Sequence, residues 1–180
     1  ESVDHGLLKA VFVTGGPGSG KDVVIREAIP EARAVELNTV QAYEYLADKH
    51  KLSENTNDYR KLAIKNRSPL IINGPADDIQ RISYIKEELE ELGYTTLMIF
   101  VHTSNEVSQE RNTKLSRMMV ESVRYDKWIR SQQSKNMYFD MFEHMIEFDN
   151  SDMIIEDNIS DIYQITQKFF EKIVQNDASI

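Results

Sequence analysis

The chain of 180 residues contains no cysteine. That removes disulfide scaffolds, thiolate metal sites and cysteine nucleophiles together. Glycine and proline are scarce, with seven and four residues, which speaks against a fibrous or linker-like chain. No apolar run approaches the roughly 20 residues that cross a bilayer, and no charged-then-apolar leader opens the sequence. A membrane partner is therefore not expected, and the cytoplasm is the expected location. Positive charge is also short, with 21 Lys and Arg against 30 Asp and Glu and a formal net charge of -9. Coating nucleic acid without sequence preference depends on lysines and arginines displacing counterions, so that role is disfavoured, although a local basic groove is not. His5, His50, His102 and His144 lack the i,i+4 pairing of a helical metal site, and no zinc is expected.

What is present reads as one α/β domain spanning 1–180. The length suits a single packed unit. Short apolar runs, each suited to a buried parallel strand, lie at Leu7–Thr14, Ala32–Leu37, Pro69–Asn73 and Thr95–Val101, with a last one between Met145 and Glu156. Helical patterns separate them. They cover Lys21–Ala28, Val40–Lys49, Asp58–Asn66 and Asp77–Leu92, then Glu106 to about Ser131, Asn136–His144 and a terminal amphipathic stretch from Ile159 to Ile173. Strands alternating with helices imply a parallel sheet covered on both faces.

The chemistry is carried by Gly15-Gly-Pro-Gly-Ser-Gly-Lys21, which fits G-x-x-x-x-G-K between a strand and a helix. Gly15, Gly16, Gly18 and Gly20 permit positive φ and close backbone approach, so that amides including that of Ser19 can converge on phosphate oxygens. The helix beginning near Gly20 adds its N-terminal partial charge, and Lys21 would reach the β- and γ-phosphates. The next position normally carries a hydroxyl that ligates Mg²⁺, but here it is Asp22. A carboxylate is also a hard oxygen ligand, so Asp22 becomes the candidate metal residue. The usual partner acid at the end of a neighbouring strand is replaced by Asn73. Read together, a hydroxyl plus a carboxylate have become a carboxylate plus an amide, which keeps one acid near the metal.

With these residues in place, the chain resembles the P-loop kinases of the group that holds nucleoside monophosphate kinases, polynucleotide 5′-kinases and zeta-toxin-like small-molecule kinases. The loop ending Gly-Lys-Asp is similar to theirs. The segment after TTLMIFVHTS, with Arg111, Lys114 and Arg117, resembles the lid in which these kinases carry arginines over the transferring phosphate. Asp152–Tyr163 is similar to the last strand and helix start that flank the adenine. The resemblance implies a three-layer P-loop NTPase fold, with a parallel sheet of about five strands, an acceptor-binding segment at 38–68 and a helical lid at 104–135. It implies transfer of the γ-phosphoryl group of ATP, with Mg²⁺ as the only metal, to an unidentified acceptor. That acceptor is a nucleotide, a nucleic-acid 5′-hydroxyl or another small molecule.

The expected catalytic set is then Lys21, Arg111, Arg117 and Asp77. Phosphoryl transfer calls for alignment and positive charge more than for covalent help, which directs attention to Arg111 and Arg117. Arg124 and Arg130 are expected on a solvated helix face. The resemblance also implies an acid that orients the acceptor, after the second strand, where Glu36 and Asn38 stand; Asp77 and Asp78, beyond the third, are the alternatives, with at least one expected to cap its helix. Trp128 is expected to anchor a helix more than to stack on a base. Two other classes stay open: a nucleotide-binding module that has lost catalysis, and an NTP-hydrolysing switch or motor. Against the second, the sequence has no N-K-x-D motif and no paired acids at a strand end.

Overall fold

The structure, a computed structural model, describes residues 8–28, 35–38, 67, 69–151 and 155–171, with the backbone alone for 27–28, 35–38 and 155–158. The elements run β1 (Lys9–Gly15), α1 (Lys21–Ala28), β2 (Val35–Asn38), β3 (Leu70–Pro75), α2 (Ile79–Glu91), β4 (Thr95–His102), α3 (Asn105–Thr113), α4 (Glu121–Met141), β5 (Met145–Asp149) and α5 (Ile155–Glu171). The helical patterns at Val40–Lys49 and Asp58–Asn66, and nearly all of the acceptor segment 38–68, lie outside the described residues.

The five strands form one parallel sheet in the order β2-β3-β1-β4-β5. β1 is central and buried along its whole length, which explains why it reads as an unbroken apolar run rather than an alternating one. Its side chains divide between two cores. Ala10 and Phe12 face one side with Leu70, Ile72, Met98 and Phe100, under Ile82, Ile85 and Leu89 of α2 and Tyr138 of α4. Val11 and Val13 face the other with Ile71, Ile99 and Val101, under Val24 and Ile25 of α1 and Ile162 and Phe170 of α5. Helices thus cover both faces, giving the three expected layers. Even Lys9 is buried, its ammonium lying 5.2 Å from the centre of the Phe169 ring, an attraction between cation and ring face.

Leu92 caps the end of α2, and Gly93 follows with φ of 94°, the left-handed turn that glycine supplies past a helix end. At the other end Asp78 occupies the N-cap position but makes no side-chain capping bond. Its carboxylate is left for the cavity described below.

The largest departure from the sequence pattern is in the segment after β4. The periodicity suggests one helix from Glu106 to about Ser131 and a second from Asn136. Instead the first breaks at 114–120, and α4 then runs without interruption to Met141. The break has a side-chain cause. Asn112 is buried, donates from Nδ2 to the Met119 carbonyl (2.9 Å) and accepts from the Met119 amide (3.0 Å). One amide side chain thereby supplies both bonds that Met119 would otherwise have to find in a helix. The last strand among the described residues is Met145–Asp149, and the described part of Asp152–Tyr163, from Ile155 on, opens α5.

Among the described residues no helix is long and apolar enough to cross a membrane.

Candidate active site

The loop between β1 and α1 lines a cavity of about 930 Å³. Two glycines in it take the left-handed backbone, Gly18 with φ of 70° and Gly20 with φ of 82°. A Cβ on Gly20 would also come within 2.5 Å of Nδ2 of Asn150, so a side chain there would strain the backbone and displace the Asn150 amide.

Three consecutive carbonyls of this loop are held from outside. The buried Ser108 hydroxyl of α3 donates to the Pro17 carbonyl (2.6 Å). Arg111 donates through Nη1 to the Gly18 carbonyl (2.8 Å) and, at greater length, to that of Ser19 (3.4 Å). Asn150, just past β5, donates from Nδ2 to the Ser19 carbonyl (2.7 Å), and its own carbonyl accepts from Nη2 of Arg111 (2.8 Å). In a trans peptide the carbonyl and the following N–H point in opposite directions. Tying the Pro17 and Ser19 carbonyls toward α3 and β5 therefore aims the Gly18 and Gly20 amides the other way. Those amides, with those of Lys21 and Asp22 in the first turn of α1, have no backbone acceptor among the described residues. They form an anion-binding concavity at a helix N-terminus.

Lys21 is half-buried in the same cavity, and desolvation lowers its pKa from the ordinary lysine value. Asp22 and Asp77 oppose that shift, and the nearby Lys127 adds to it. The site thus holds a cation that is poorly solvated and gains from an arriving anion.

The two unusual positions meet. The buried Asn73, in the second half of β3, donates from Nδ2 to Oδ1 of the exposed Asp22 (2.9 Å). The carboxylate that replaces the usual hydroxyl is oriented by the amide that replaces the usual carboxylate, and its other oxygen makes no hydrogen bond among the described residues. A single oriented carboxylate at the mouth of an amide cradle fits a hard divalent cation that also touches phosphate.

From the end of β3 onward the cavity is lined by Pro75, Ala76, Asp77, Asp78 and Arg81, and on the far side by Leu115, Met119, Lys127 and Ser131. Lys21, Asp22, Asp77 and all the loop positions read from the sequence therefore share one space. Arg111 and Arg117 do not. Arg111 lies behind the loop, with its guanidinium spent on the carbonyls of Gly18 and Asn150, and Arg117 is exposed in the 114–120 break; neither lines the cavity. Arg124 is also not where the pattern suggests. It is fully buried, bonded to Glu121, to the Asn105 side chain (2.7 Å) and to the Ser108 hydroxyl (2.9 Å). Arg130 does sit on an exposed face, paired with Asp126. Trp128 anchors α4, its indole N–H donating to the Thr103 carbonyl (2.9 Å). Two further cations line the cavity: Lys127, which belongs to the basic cluster that the sequence places between Arg111 and Arg130, and Arg81, which sequence reasoning did not single out. Arg81 stands in the first turn of α2, half-buried on the cavity wall.

No protein-family model matches the chain, and no curated protein matches it. Solved structures do share its fold. A shikimate kinase from Bacteroides thetaiotaomicron matches with a TM-score of 0.54 at 12% identity, over 90% of this chain and 98% of that one. A protein described as APE1195 matches with a TM-score of 0.54 at 20% identity, over 91% and 96%. A tunicamycin resistance protein from Deinococcus radiodurans matches with a TM-score of 0.51 at 11% identity, over 89% and 93%. The likeness covers nearly the whole length of each of these chains and is one of fold: a three-layer α/β architecture around a parallel sheet.

If Arg111 secures the loop, Arg111→Met should lower unfolding free energy by about 2 kcal/mol, the loss of charge-assisted bonds to two carbonyls. Arg111→Lys should recover little, because one ammonium cannot bridge both. Urea denaturation of the three proteins checks this; equal stability would contradict it.

Proposed function

We propose that the protein is an ATP-dependent phosphotransferase of the cytoplasm, with the nucleotide phosphates on Gly15–Lys21 and the acceptor on the side of Asp77 and Asp78. The observation that carries the reading is the loop whose carbonyls are tied away from the cavity, leaving its amides and Lys21 directed at a space of a size usual for small-molecule sites.

Each residue has a task in that reaction. The amides of Gly18, Gly20, Lys21 and Asp22 hold the phosphate chain without reorganising, which is where electrostatic catalysis gains most. Lys21 reaches the phosphates nearest the transferred group, and a bound polyphosphate restores the charge that burial disfavours. Asp77, which lines the cavity and is electrostatically coupled to Lys21, is placed to orient or deprotonate an acceptor hydroxyl. Asp22, oriented by Asn73, would hold Mg²⁺, which supplies charge neutralisation between phosphate oxygens. Arg111 acts through the loop as a positioning residue. The acceptor is a nucleotide, a polynucleotide 5′-hydroxyl or another small alcohol or phosphate.

A second reading is a nucleotide-binding module without transfer. It is favoured by one observation: Arg111 and Arg117, the arginines expected over the transferring group, both lie outside the cavity.

Incubating the protein with γ-labelled ATP, Mg²⁺ and a panel of hydroxyl and phosphate acceptors separates the two. Label moving to one acceptor supports the transferase; tight ATP binding with no transfer supports the module. Substitution at the metal position adds a second expectation. Asp22→Ser alone should abolish Mg²⁺-dependent strengthening of ATP binding, and Asp22→Ser with Asn73→Asp should restore most of it. A double variant no better than the single one would remove Asp22 from the metal.

A further inference from the structure

The cation that meets the terminal phosphoryl group is still to be found, because the arginines expected there are elsewhere. Among the described residues, three cations line the cavity: Lys21, Arg81 and Lys127. Lys21 belongs to the loop. Arg81 stands with Asp77 and Asp78 beyond β3 and is already engaged in an interaction. Lys127 is half-buried and makes no hydrogen bond or ion pair among the described residues.

The helix that carries it is fastened on both sides of it. One turn before, Arg124 is fully buried in bonds to Ser108 and Asn105 of α3. At the next position Trp128 bonds the Thr103 carbonyl. One turn after, the buried Ser131 lies so close to Gly16 that a Cβ there would collide with its hydroxyl. Further along, the Tyr138 hydroxyl donates to the Ala76 carbonyl on the cavity wall (2.6 Å). α4 cannot rotate or shift without breaking these contacts, so the placement of Lys127 along the cavity wall is a property of the fold.

We propose that Lys127 is the residue that contacts the terminal phosphoryl group, delivered by a helix already in place and not by closure of an arginine-bearing lid. This rests on the reading of the site as a nucleotide phosphate site. Lys21 and Lys127 line the same cavity, and the Lys127 charge, after desolvation, helps to lower the pKa of Lys21. An anion lying between them removes that repulsion and gains two attractions, which favours the most highly charged part of the nucleotide. Since a loop lysine of this kind reaches the β- and γ-phosphates, and α4 approaches at Gly16, the start of the loop, the group facing Lys127 is the last phosphate. ADP lacks it.

The test compares two nucleotides by titration calorimetry with Mg²⁺: AMP-PNP, which carries a third phosphate, and ADP, which does not. Lys127→Met should weaken AMP-PNP roughly 10- to 100-fold, the range of a charge-assisted contact, and change ADP by less than about twofold. Lys127→Arg, which retains the charge, should return most of the loss and rules out misfolding as the cause. Equal weakening of both nucleotides, or no weakening of either, overturns the assignment. A wild-type protein that binds neither nucleotide overturns the phosphate site itself, and Lys127 with it; binding by wild type that Lys127→Met leaves unaltered sinks only Lys127.

Discussion

Everything in the site depends on where three peptide carbonyls point. Pro17, Gly18 and Ser19 present their oxygens to Ser108, Arg111 and Asn150, side chains delivered by α3 and the end of β5. A glycine-rich loop has many conformations available, and most scatter its amides. Here the choice is made by side chains about 90 to 130 positions later in the sequence, as the separations of 91, 93 and 131 residues show. Arg124 supports the same arrangement at one remove, donating to the hydroxyl that donates to Pro17. The fold is then the means of bringing β5 and α3 beside the central strand, so that the far half of the chain sets the conformation of the near half.

Charge is organised around the resulting cradle with some economy. Asp22 brings a negative group to the place where phosphates would lie, which is unfavourable unless a cation accompanies them. Asn73 orients that carboxylate without adding a second charge, whereas an aspartate in its place would put two acids in contact. On the opposing side Lys127 adds a cation near Lys21. The arrangement is repulsive among cations and awkward for a lone anion, and both defects are cured by a metal-bound polyphosphate. An acidic chain can hold such a ligand because the local balance, and not the net charge of -9, decides binding.

The sheet, its parallel sense and the loop were legible because each writes a local signal. β1 is apolar throughout since both faces are covered, and the loop glycines sit at fixed spacing between a strand and a helix. The pairing of Asp22 with Asn73 was also readable, as two coincident departures from one motif. What was not legible depends on register between distant elements. Arg111 and Arg124 are basic residues on helical patterns, and nothing local distinguishes a guanidinium turned toward backbone carbonyls from one turned toward a ligand. The break at 114–120 is made by a pairing of Asn112 with Met119, which periodicity does not register. Lys127 enters the cavity because Ser131 and Trp128 fix the rotation of α4, a matter of packing against Gly16 and Thr103.

The central claim is that the loop amides converge on a polyphosphate. Amide NMR of uniformly ¹⁵N-labelled protein, titrated with ATP and Mg²⁺, reads it directly. The account predicts large shifts confined to the amides of Gly18, Gly20, Lys21 and Asp22 and their immediate neighbours, absent in Lys21→Ala at the same nucleotide concentration. Unchanged loop amides at saturating ATP, or shifts centred elsewhere on the protein, would contradict it.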